Sequence, residues 1–185
     1  MAETCPAEPV QLFVGVLARS EFLLPEVRER LVESFGPTDL ESSSFPFDVT
    51  SYYEAEMGPG LRRWFLSFET LISPDDIVQA KLTTNRIEHE LREGDRRRIN
   101  LDPGYMDIYK IVLASAKFQG PKVHLGKGIY ADLTRYYNKG WRSYPWGFAD
   151  FKDGRYDEIL TEIRRLYKKK RRMGEGALRH SLPPL

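Results

Sequence analysis

The sequence lacks the residues that three large classes of protein need. Its 185 residues include one cysteine, Cys5, so neither an intramolecular disulfide nor a cysteine-ligated metal cluster can form. No apolar run reaches the roughly 18 residues of a membrane-spanning helix, and residues 1–4 do not open a signal peptide. Basic and acidic residues nearly cancel, 28 against 27, so bulk charge attracts no polyanion. We therefore expect a soluble, cytoplasmic protein that does not bind membranes.

The common catalytic signatures are also missing. The chain has no G-x-S-x-G elbow and no G-x-G-x-x-G fingerprint. Its histidines, His89, His124 and His180, have no second ligand at zinc-site spacing. These absences lower the expectation for the usual hydrolases and dinucleotide enzymes, and they leave open whether the chain is an enzyme.

The apolar residues that are present indicate alternating strands and helices. Residues 10–18 are β-branched and almost without polarity, which is typical of a central buried strand. A helix with Pro25 in its first turn and a stop at Gly36 follows. The remaining predicted elements are an edge strand at 40–49, a strand at 63–72, a helix that Ser73 caps, and a strand at 96–101. This order is the β-α-β-β-α-β arrangement of ferredoxin-like folds.

The rest of the chain adds to this core. Residues 107–116 fit a short helix or another strand, and we favour the helix. Strands at 122–125 and 129–137 and a terminal helix around Tyr156 and Tyr167 follow. The prediction is an α+β fold with a ferredoxin-like core, additional C-terminal strands and a terminal helix. We expect a single domain over residues 9–170, a disordered N-terminus at 1–8 and a disordered tail at 171–185.

Polar residues that packing does not explain fall in three segments, 48–57, 100–105 and 124–135. Each has a structural alternative: a solvated loop, an Asp-Pro-Gly turn and a hairpin bend, respectively. If these segments carry function, we expect them to meet at one edge of the sheet, with Asp102 exposed at a strand end. The candidate ligand-binding residues are Asp48, Tyr53, Gly126, Lys127, Gly128, Tyr130 and Arg135.

The chemistry of these segments favours an anionic ligand. Backbone N–H groups beside the glycines, together with Lys127, are suited to neutralising a phosphate. Carboxylates can act as acid or base or hold a divalent cation, which is the candidate cofactor. The candidate catalytic residues are Glu54, Glu56 and Asp102, and the candidate metal ligands are Asp48, Glu56 and Asp102. The sequence thus predicts a site for a phosphorylated small molecule or nucleotide.

Two other surfaces suggest alternative functions. The basic run 168–172, with Arg164 and Arg165 upstream, could contact RNA phosphates, or it could be the solvated end of a helix. An RNA- or ribosome-binding module would also need exposed aromatics on the sheet, such as Trp64, Phe68 and Tyr130. A non-catalytic protein-interaction subunit could instead use an aromatic patch at 141–146, although the same side chains can cap the core.

Three motifs in order resemble one known family. They are the Phe-Pro-Phe-Asp at 45–48 with the Tyr-Tyr at 52–53 and Glu-Met-Gly-Pro-Gly at 56–60, the Leu-Asp-Pro-Gly-Tyr at 101–105, and the Leu-Gly-Lys-Gly-Ile-Tyr-Ala at 125–131. Together they resemble an uncharacterised prokaryotic family catalogued as domain of unknown function 4416, over roughly residues 9–170. The resemblance implies no established activity and no catalytic residues.

Some members of that family carry a "GTP-binding" label, which the residues of this chain do not support. The phosphate-loop pattern fails because Gly120 precedes Gly126 by one residue too many, and Gly128 stands where a hydroxyl should bind magnesium. The run at 138–141 lacks the aspartate of an N-K-x-D motif. Nucleotide or phosphate binding would therefore have to use a different route.

Overall fold

The computed structural model describes residues 3–180, with side chains described to residue 173. Within that range it is a mixed α/β structure, and no helix there has the length and apolarity to span a bilayer. The strands are β1 (Val10–Ala18), β2 (Thr38–Glu41), β3 (Phe45–Pro46), β4 (Arg62–Ile72), β5 (Ile99–Met106), β6 (Lys110–Ser115), β7 (Val123–Gly126), β8 (Ile129–Tyr137) and β9 (Trp141–Ser143). The α-helices are α1 (Leu24–Phe35), α2 (Glu54–Met57), α3 (Ile77–Glu90) and α4 (Asp157–His180).

The strands of the described chain form one nine-stranded sheet in which every pairing is antiparallel. The order along the sheet is β2-β4-β1-β5-β6-β8-β7, with β3 beside β4 and β9 beside β8. All nine residues of β1 are buried, which explains why its sequence, apart from Gln11, is apolar rather than alternating. The prediction of a central first strand is confirmed.

Helices cover both faces of the sheet. Alternate residues of β1 point to opposite faces, so Val14 and Val16 pack under α1 and α3 while Phe13 packs under α4. On the α4 side, Tyr156 and Leu160 close a second core against Phe13 and its neighbours. The result is three layers, with α1 and α3 on one face and α4 on the other.

Two sequence predictions in the middle of the chain are wrong. Residues 107–116 contain the strand β6, not a helix, because both faces of this strand are covered and a fully buried strand shows no polar alternation. The Asp-Pro-Gly at 102–104 is not a turn but the interior of β5. Pro103 is tolerated there because β6 does not pair with β5 at that residue.

At the ends of the predicted elements the boundaries shift. The predicted edge strand at 40–49 consists of two short strands, β2 and β3, which both pair with the outer edge of β4. Helix α4 runs to His180, so part of the predicted disordered tail is helical, and residues 181–185 lie outside the described residues. Residues 3–9 have no regular secondary structure, and residues 1–2 are not described.

Candidate functional site

Strands β5 and β6 pair along only part of their length and then separate. Their pairing covers Gly104 to Met106, and at the last pair a Cβ on Gly104 would lie 2.6 Å from the side chain of Leu113. Glycine is therefore required where the two strands part. Toward the start of β5, α3 occupies the open edge, where the Lys81 ammonium donates to the carbonyl of Leu101 at 2.8 Å. The split creates a polar opening within the sheet.

A cavity of about 360 Å³ fills this opening. Its walls come from α3, the starts of β4 and β5, the end of β6, the segment before α2, and the segments at 116–122 and 148–150. The lining includes eight charged side chains, five cations and three carboxylates. The cations are Arg63, Lys81, Arg97, Lys117 and Lys122, and the carboxylates are Glu88, Asp102 and Asp150.

Arg63 forms the floor of the cavity. Only 1% of its side chain is exposed, and its two terminal nitrogens lie 2.7 Å from Asp102 and 3.1 Å from Asp150. The ring of Phe47 lies 5.3 Å from the guanidinium carbon. A buried cation between two carboxylates fixes all three groups, because without Arg63 both carboxylates would be buried without this counterion.

The two carboxylates on Arg63 have opposite pKa shifts. Burial opposes ionisation of Asp102, but the Arg63 guanidinium, the Lys81 ammonium and a hydrogen bond from Asn100 hold its pKa below the usual value. Burial and the neighbouring Asp102 charge raise the pKa of Asp150, although Arg63 and a hydrogen bond from Tyr156 at 3.1 Å oppose this. The floor therefore holds one firmly ionised carboxylate and one that takes up a proton more readily.

The α3 wall is a row of polar side chains on a buried helix face. Lys81, Asn85 and Glu88 line the cavity at helical spacing. Glu88 accepts a hydrogen bond from the N–H of Leu101 at 2.7 Å, and burial raises its pKa despite the charge of Lys81. Arg97 lies 3.6 Å from Glu88 and closes this side. These groups satisfy the backbone that β6 leaves unpaired.

The mouth of the cavity carries lysines and tyrosines. Lys117 donates to the Tyr52 hydroxyl at 2.7 Å, and its ammonium lies 4.2 Å from the centre of that ring. Lys122 donates to the Ser115 hydroxyl at 3.0 Å. Beside them, burial and then the charge of Asp102 raise the pKa of Tyr53, which keeps this phenol protonated. The mouth therefore presents cations and hydroxyl groups.

The structure brings some of the predicted segment 48–57 to this cavity. Tyr53 lines it, and Glu56 lies 3.5 Å from Arg97 at its rim. Asp48 instead pairs with Arg155 at 2.7 Å on the outer surface, and Glu54 is exposed on α2. Asp102 lines the cavity, but the expectation that it is exposed at a strand end is wrong, because it is buried within β5.

The predicted glycine segment lies in a hairpin. Lys127 and Gly128 connect β7 to β8 with φ angles of 50° and 72°, the positive values that a tight two-residue hairpin turn requires. Gly126 closes the turn by pairing with Ile129, and Lys127 is exposed. None of these three lines the cavity at the strand split. The structural alternative, a hairpin bend, describes their conformation.

The last two predicted ligand residues have packing roles. Half-buried Tyr130 contacts the rings of Phe118 and His124, with centroid distances of 5.3 and 5.0 Å. Arg135 is buried, donates to the carbonyl of Phe151 and pairs with Asp157 at 2.6 Å, so it ties β8 to the start of α4. Among the described residues, no group of three or more His, Cys, Asp or Glu is placed to hold a metal ion.

Sequence reasoning missed most of the residues that line the cavity. A signal was present in α3, where Lys81 and Glu88 occupy positions next to its apolar stripe and are buried. Another was Arg63 at the start of a strand whose next five residues are buried and mostly apolar. A charged residue at a position that the hydrophobic pattern assigns to the core must have a buried partner, and that partner marks a site.

Fold and cavity together define the class of protein: a mixed α/β protein with a charged pocket where two strands of an antiparallel sheet separate. The chain belongs to the family described as domain of unknown function DUF4416, whose model matches residues 8–167. This confirms the resemblance noted in the sequence. No curated protein and no solved structure matches the chain.

Proposed function

We propose that the protein binds a phosphorylated small molecule in the cavity between β5 and β6, here named the split pocket. The observation that carries this proposal is the state of the two lysines at its mouth. Among the described side chains, Lys117 pairs with no carboxylate, and the nearest carboxylate oxygen to Lys122, on Asp132, is 3.7 Å away. Lys122 thus has one loosely held carboxylate partner and Lys117 has none among the described side chains, and such an excess of cations at a concave site favours an anion.

The floor of the split pocket supports an assignment of roles. Asp102 and Asp150 are both held by Arg63, so we assign charge neutralisation of the phosphate to Lys117 and Lys122 rather than to a divalent cation. The exposed Lys127, which the sequence suggested for this role, is replaced in the proposal by these two lysines. Tyr53, Asn85 and Asn100 would bind the uncharged part of the ligand through hydrogen bonds.

The test is a thermal-shift and calorimetric titration of the purified protein with sugar phosphates, nucleotides and pyrophosphate. A ligand selective for the folded state raises the melting temperature by mass action. We expect Lys117→Met and Lys122→Met each to weaken binding by about tenfold, as loss of a charge-assisted hydrogen bond would. Lys127→Met is the matched control and should bind normally. The proposal fails if no phosphorylated compound binds, or if Lys127→Met alone abolishes binding.

We also propose a ferredoxin-like arrangement for the four strands β1, β2, β4 and β5. The support is the order β2-β4-β1-β5 in the sheet. Strands β1 and β2, which precede and follow α1 in the chain, lie on either side of β4, and strands β4 and β5, which precede and follow α3, lie on either side of β1. Strands β6 to β9 extend this sheet beyond β5. The split pocket would then lie where the extension joins the core.

The outward face of α4 supports a second candidate function, binding of an RNA backbone. Three basic residues near the end of the chain serve packing: Arg164 donates to the carbonyl of Ile108, Lys170 pairs with Asp39, and Arg171 pairs with Glu8. The others occupy one exposed face at helical positions i, i+3, i+4 and i+7, and they are Arg165, Lys168, Lys169 and Arg172.

Most of the charge on this basic face of α4 has no counterion among the described side chains. Lys168, Lys169 and Arg172 pair with no carboxylate among the described side chains, while Arg165 pairs with Glu162. Like charges one helical turn apart repel, and a phosphate backbone removes that repulsion. Among the described side chains of α4, the apolar residues Leu160 and Ile163 pack on the sheet. The buried side chains of Trp64 and Phe68 cannot stack on bases, which confines this proposal to α4.

The RNA proposal is tested by anisotropy of a labelled 20-nucleotide RNA across a salt series. We expect binding that weakens steeply with salt, and a shallower slope in the triple variant K168Q/K169Q/R172Q, because fewer counterions are released. The matched control R92Q/R96Q/R98Q changes three exposed arginines that lie away from α4. An equal loss of RNA affinity in the two triple variants, or no RNA binding at low salt, would contradict the proposal.

A further inference from the structure

A second cavity adjoins the split pocket. Its volume is about 260 Å³, and three of its lining residues, Gln119, Lys122 and Phe148, also line the split pocket. The residues that belong to it alone include Asp132 and Trp146. A ligand whose phosphate is at Lys122 can therefore extend into this neighbouring cavity, here named the side cavity.

Asp132 is a buried carboxylate without enough donors. The residue is 3% exposed, and its Oδ1 accepts no hydrogen bond from any described residue. Its Oδ2 lies 3.7 Å from the Lys122 ammonium, which is beyond hydrogen-bond distance. Lys122 donates instead to Ser115, on the side of the split pocket. A buried acceptor without a donor is destabilising, so a ligand that supplies an N–H or O–H would be stabilised there.

Aromatic rings form the rest of the side cavity. Trp146 is 48% exposed, and it stacks on Tyr144 with ring centroids 5.2 Å apart and planes 20° apart. Phe148 lies between the two cavities, 5.6 Å from the Lys122 ammonium. Trp141, from the same predicted aromatic patch, is buried and contributes nothing to this surface. Flat apolar faces beside an acceptor suit a planar ring that carries N–H groups.

We propose that the ligand is a nucleoside phosphate whose base occupies the side cavity and donates an N–H to Asp132. This inference rests on the proposed function, because it places the phosphate at Lys117 and Lys122. The base would stack on Trp146 or Phe148, and the sugar would lie beside Lys122, where the two cavities meet. Asp132 is then the residue that distinguishes a nucleotide from a simple sugar phosphate.

The experiment compares the four common nucleoside monophosphates with ribose 5-phosphate, a probe that lacks the base, by calorimetric titration of the full chain. We expect at least one nucleotide to bind tenfold or more tightly than ribose 5-phosphate. In Asp132→Asn, which keeps the size of the side chain, this advantage should fall by about tenfold. Affinity for ribose 5-phosphate should be unchanged or slightly higher, because Lys122 loses a competing carboxylate. Asp95→Asn, at an exposed position, is the control.

A second variant keeps the test decisive if Asp132→Asn does not fold. Trp146→Leu changes a half-exposed ring and should lower nucleotide affinity without changing that of ribose 5-phosphate. The inference is overturned if ribose 5-phosphate binds as tightly as every nucleotide, or if both variants weaken the two kinds of ligand equally. Failure of every phosphorylated probe to bind would instead overturn the proposed function itself, and this inference with it.

Discussion

Arg63 on β4 reaches Asp102 on β5 by crossing over Gly15 of the strand between them. Gly15 pairs directly with Asp102 across the sheet, and the guanidinium lies 2.7 Å from the carboxylate. A Cβ on Gly15 would lie 3.0 Å from Nη1 of Arg63, closer than a methyl group ordinarily approaches. The missing side chain in β1 is therefore what allows the floor of the split pocket to form.

Substituting Gly15→Ala should displace the guanidinium and loosen the floor. Overpacking of a dense interior typically costs about 1–3 kcal/mol, and we expect a loss of stability in that range. Ligand affinity at the split pocket should fall as well, because the cavity floor moves. Urea unfolding gives the change in stability, and the titrations described above give the change in affinity.

A double-mutant cycle identifies the cause of that loss. The other atoms near a Cβ at Gly15, on Phe65 and on the stem of Arg63, are at ordinary contact distances of 3.5 and 3.6 Å. In a chain that already carries Arg63→Ala, the Gly15→Ala change should therefore cost little. An undiminished cost in that background would mean that the strand itself, and not Arg63, rejects the methyl group.

Removing the charge of Asp102 should destabilise the protein most at neutral pH. Asp102→Asn breaks one buried ion pair, and because Asp150 still pairs with Arg63 we expect a cost at or below the lower end of the typical range of about 3–5 kcal/mol. Because its pKa is lowered in the folded protein, the ionised carboxylate contributes stability that is complete above its usual value of 3.8 and is lost as the pH falls further. The gap between wild type and variant in urea midpoint should therefore narrow below that pH. A difference in urea midpoint that is the same at every pH would contradict this prediction. So would a loss of stability in Asp95→Asn as large as that in Asp102→Asn.

The sequence predicted the fold where hydrophobic periodicity and caps are local signals. The first strand, α1 with its Gly36 stop, and α3 follow from residues adjacent in the chain, with Ser73 capping the 3₁₀ turn Pro74–Asp76 that leads into α3. The helix assigned to residues 107–116 failed because β6 is buried on both faces, and such a strand has the same apolar run as a buried helix. Only pairing with other strands, β5 on one side and β8 on the other, distinguishes the two.

The split pocket could be predicted only in part, because it depends on long-range geometry. Asp102 was selected as a polar residue near glycine, yet its partner Arg63 lies 39 positions earlier in the chain and meets it across β1. Lys127 was selected because glycines flank it, but those glycines serve a hairpin turn. Composition around glycine does not distinguish a phosphate cradle from a tight turn, since both need the same backbone freedom.

Within the basic run of α4, Lys170 should matter for stability and Lys169 should not. The Lys170 ammonium donates to Gln11 at 2.7 Å and to the carbonyl of Phe68 at 2.6 Å, and it pairs with Asp39 at 2.5 Å. We expect Lys170→Met to cost about 2 kcal/mol or more, because Gln11 Oε1 and Asp39 lose this partner, while the Phe68 carbonyl keeps the Gln11 amide as a donor. Lys169→Met, on the exposed face, should stay within about 0.5 kcal/mol of wild type. Equal effects in denaturant unfolding would contradict this division of the run.

Asp150 should make anion binding at the split pocket depend on pH. Burial and the charge of Asp102 raise the pKa of Asp150, so this carboxyl loses its proton at a pH above the usual value of 3.8. An ionised Asp150 on the pocket floor repels a bound anion, and the affinity for the anion should therefore fall as the pH rises through this pKa.

Sulfate is the best probe, because its charge is constant over this range, and the shift in melting temperature at fixed sulfate reports its binding. In Asp150→Asn the pH dependence should flatten, while Asp95→Asn should follow wild type. A variant whose sulfate response declines with pH as steeply as that of wild type would place the titrating group elsewhere, with Glu88 on the α3 wall as the next candidate, because burial raises its pKa too.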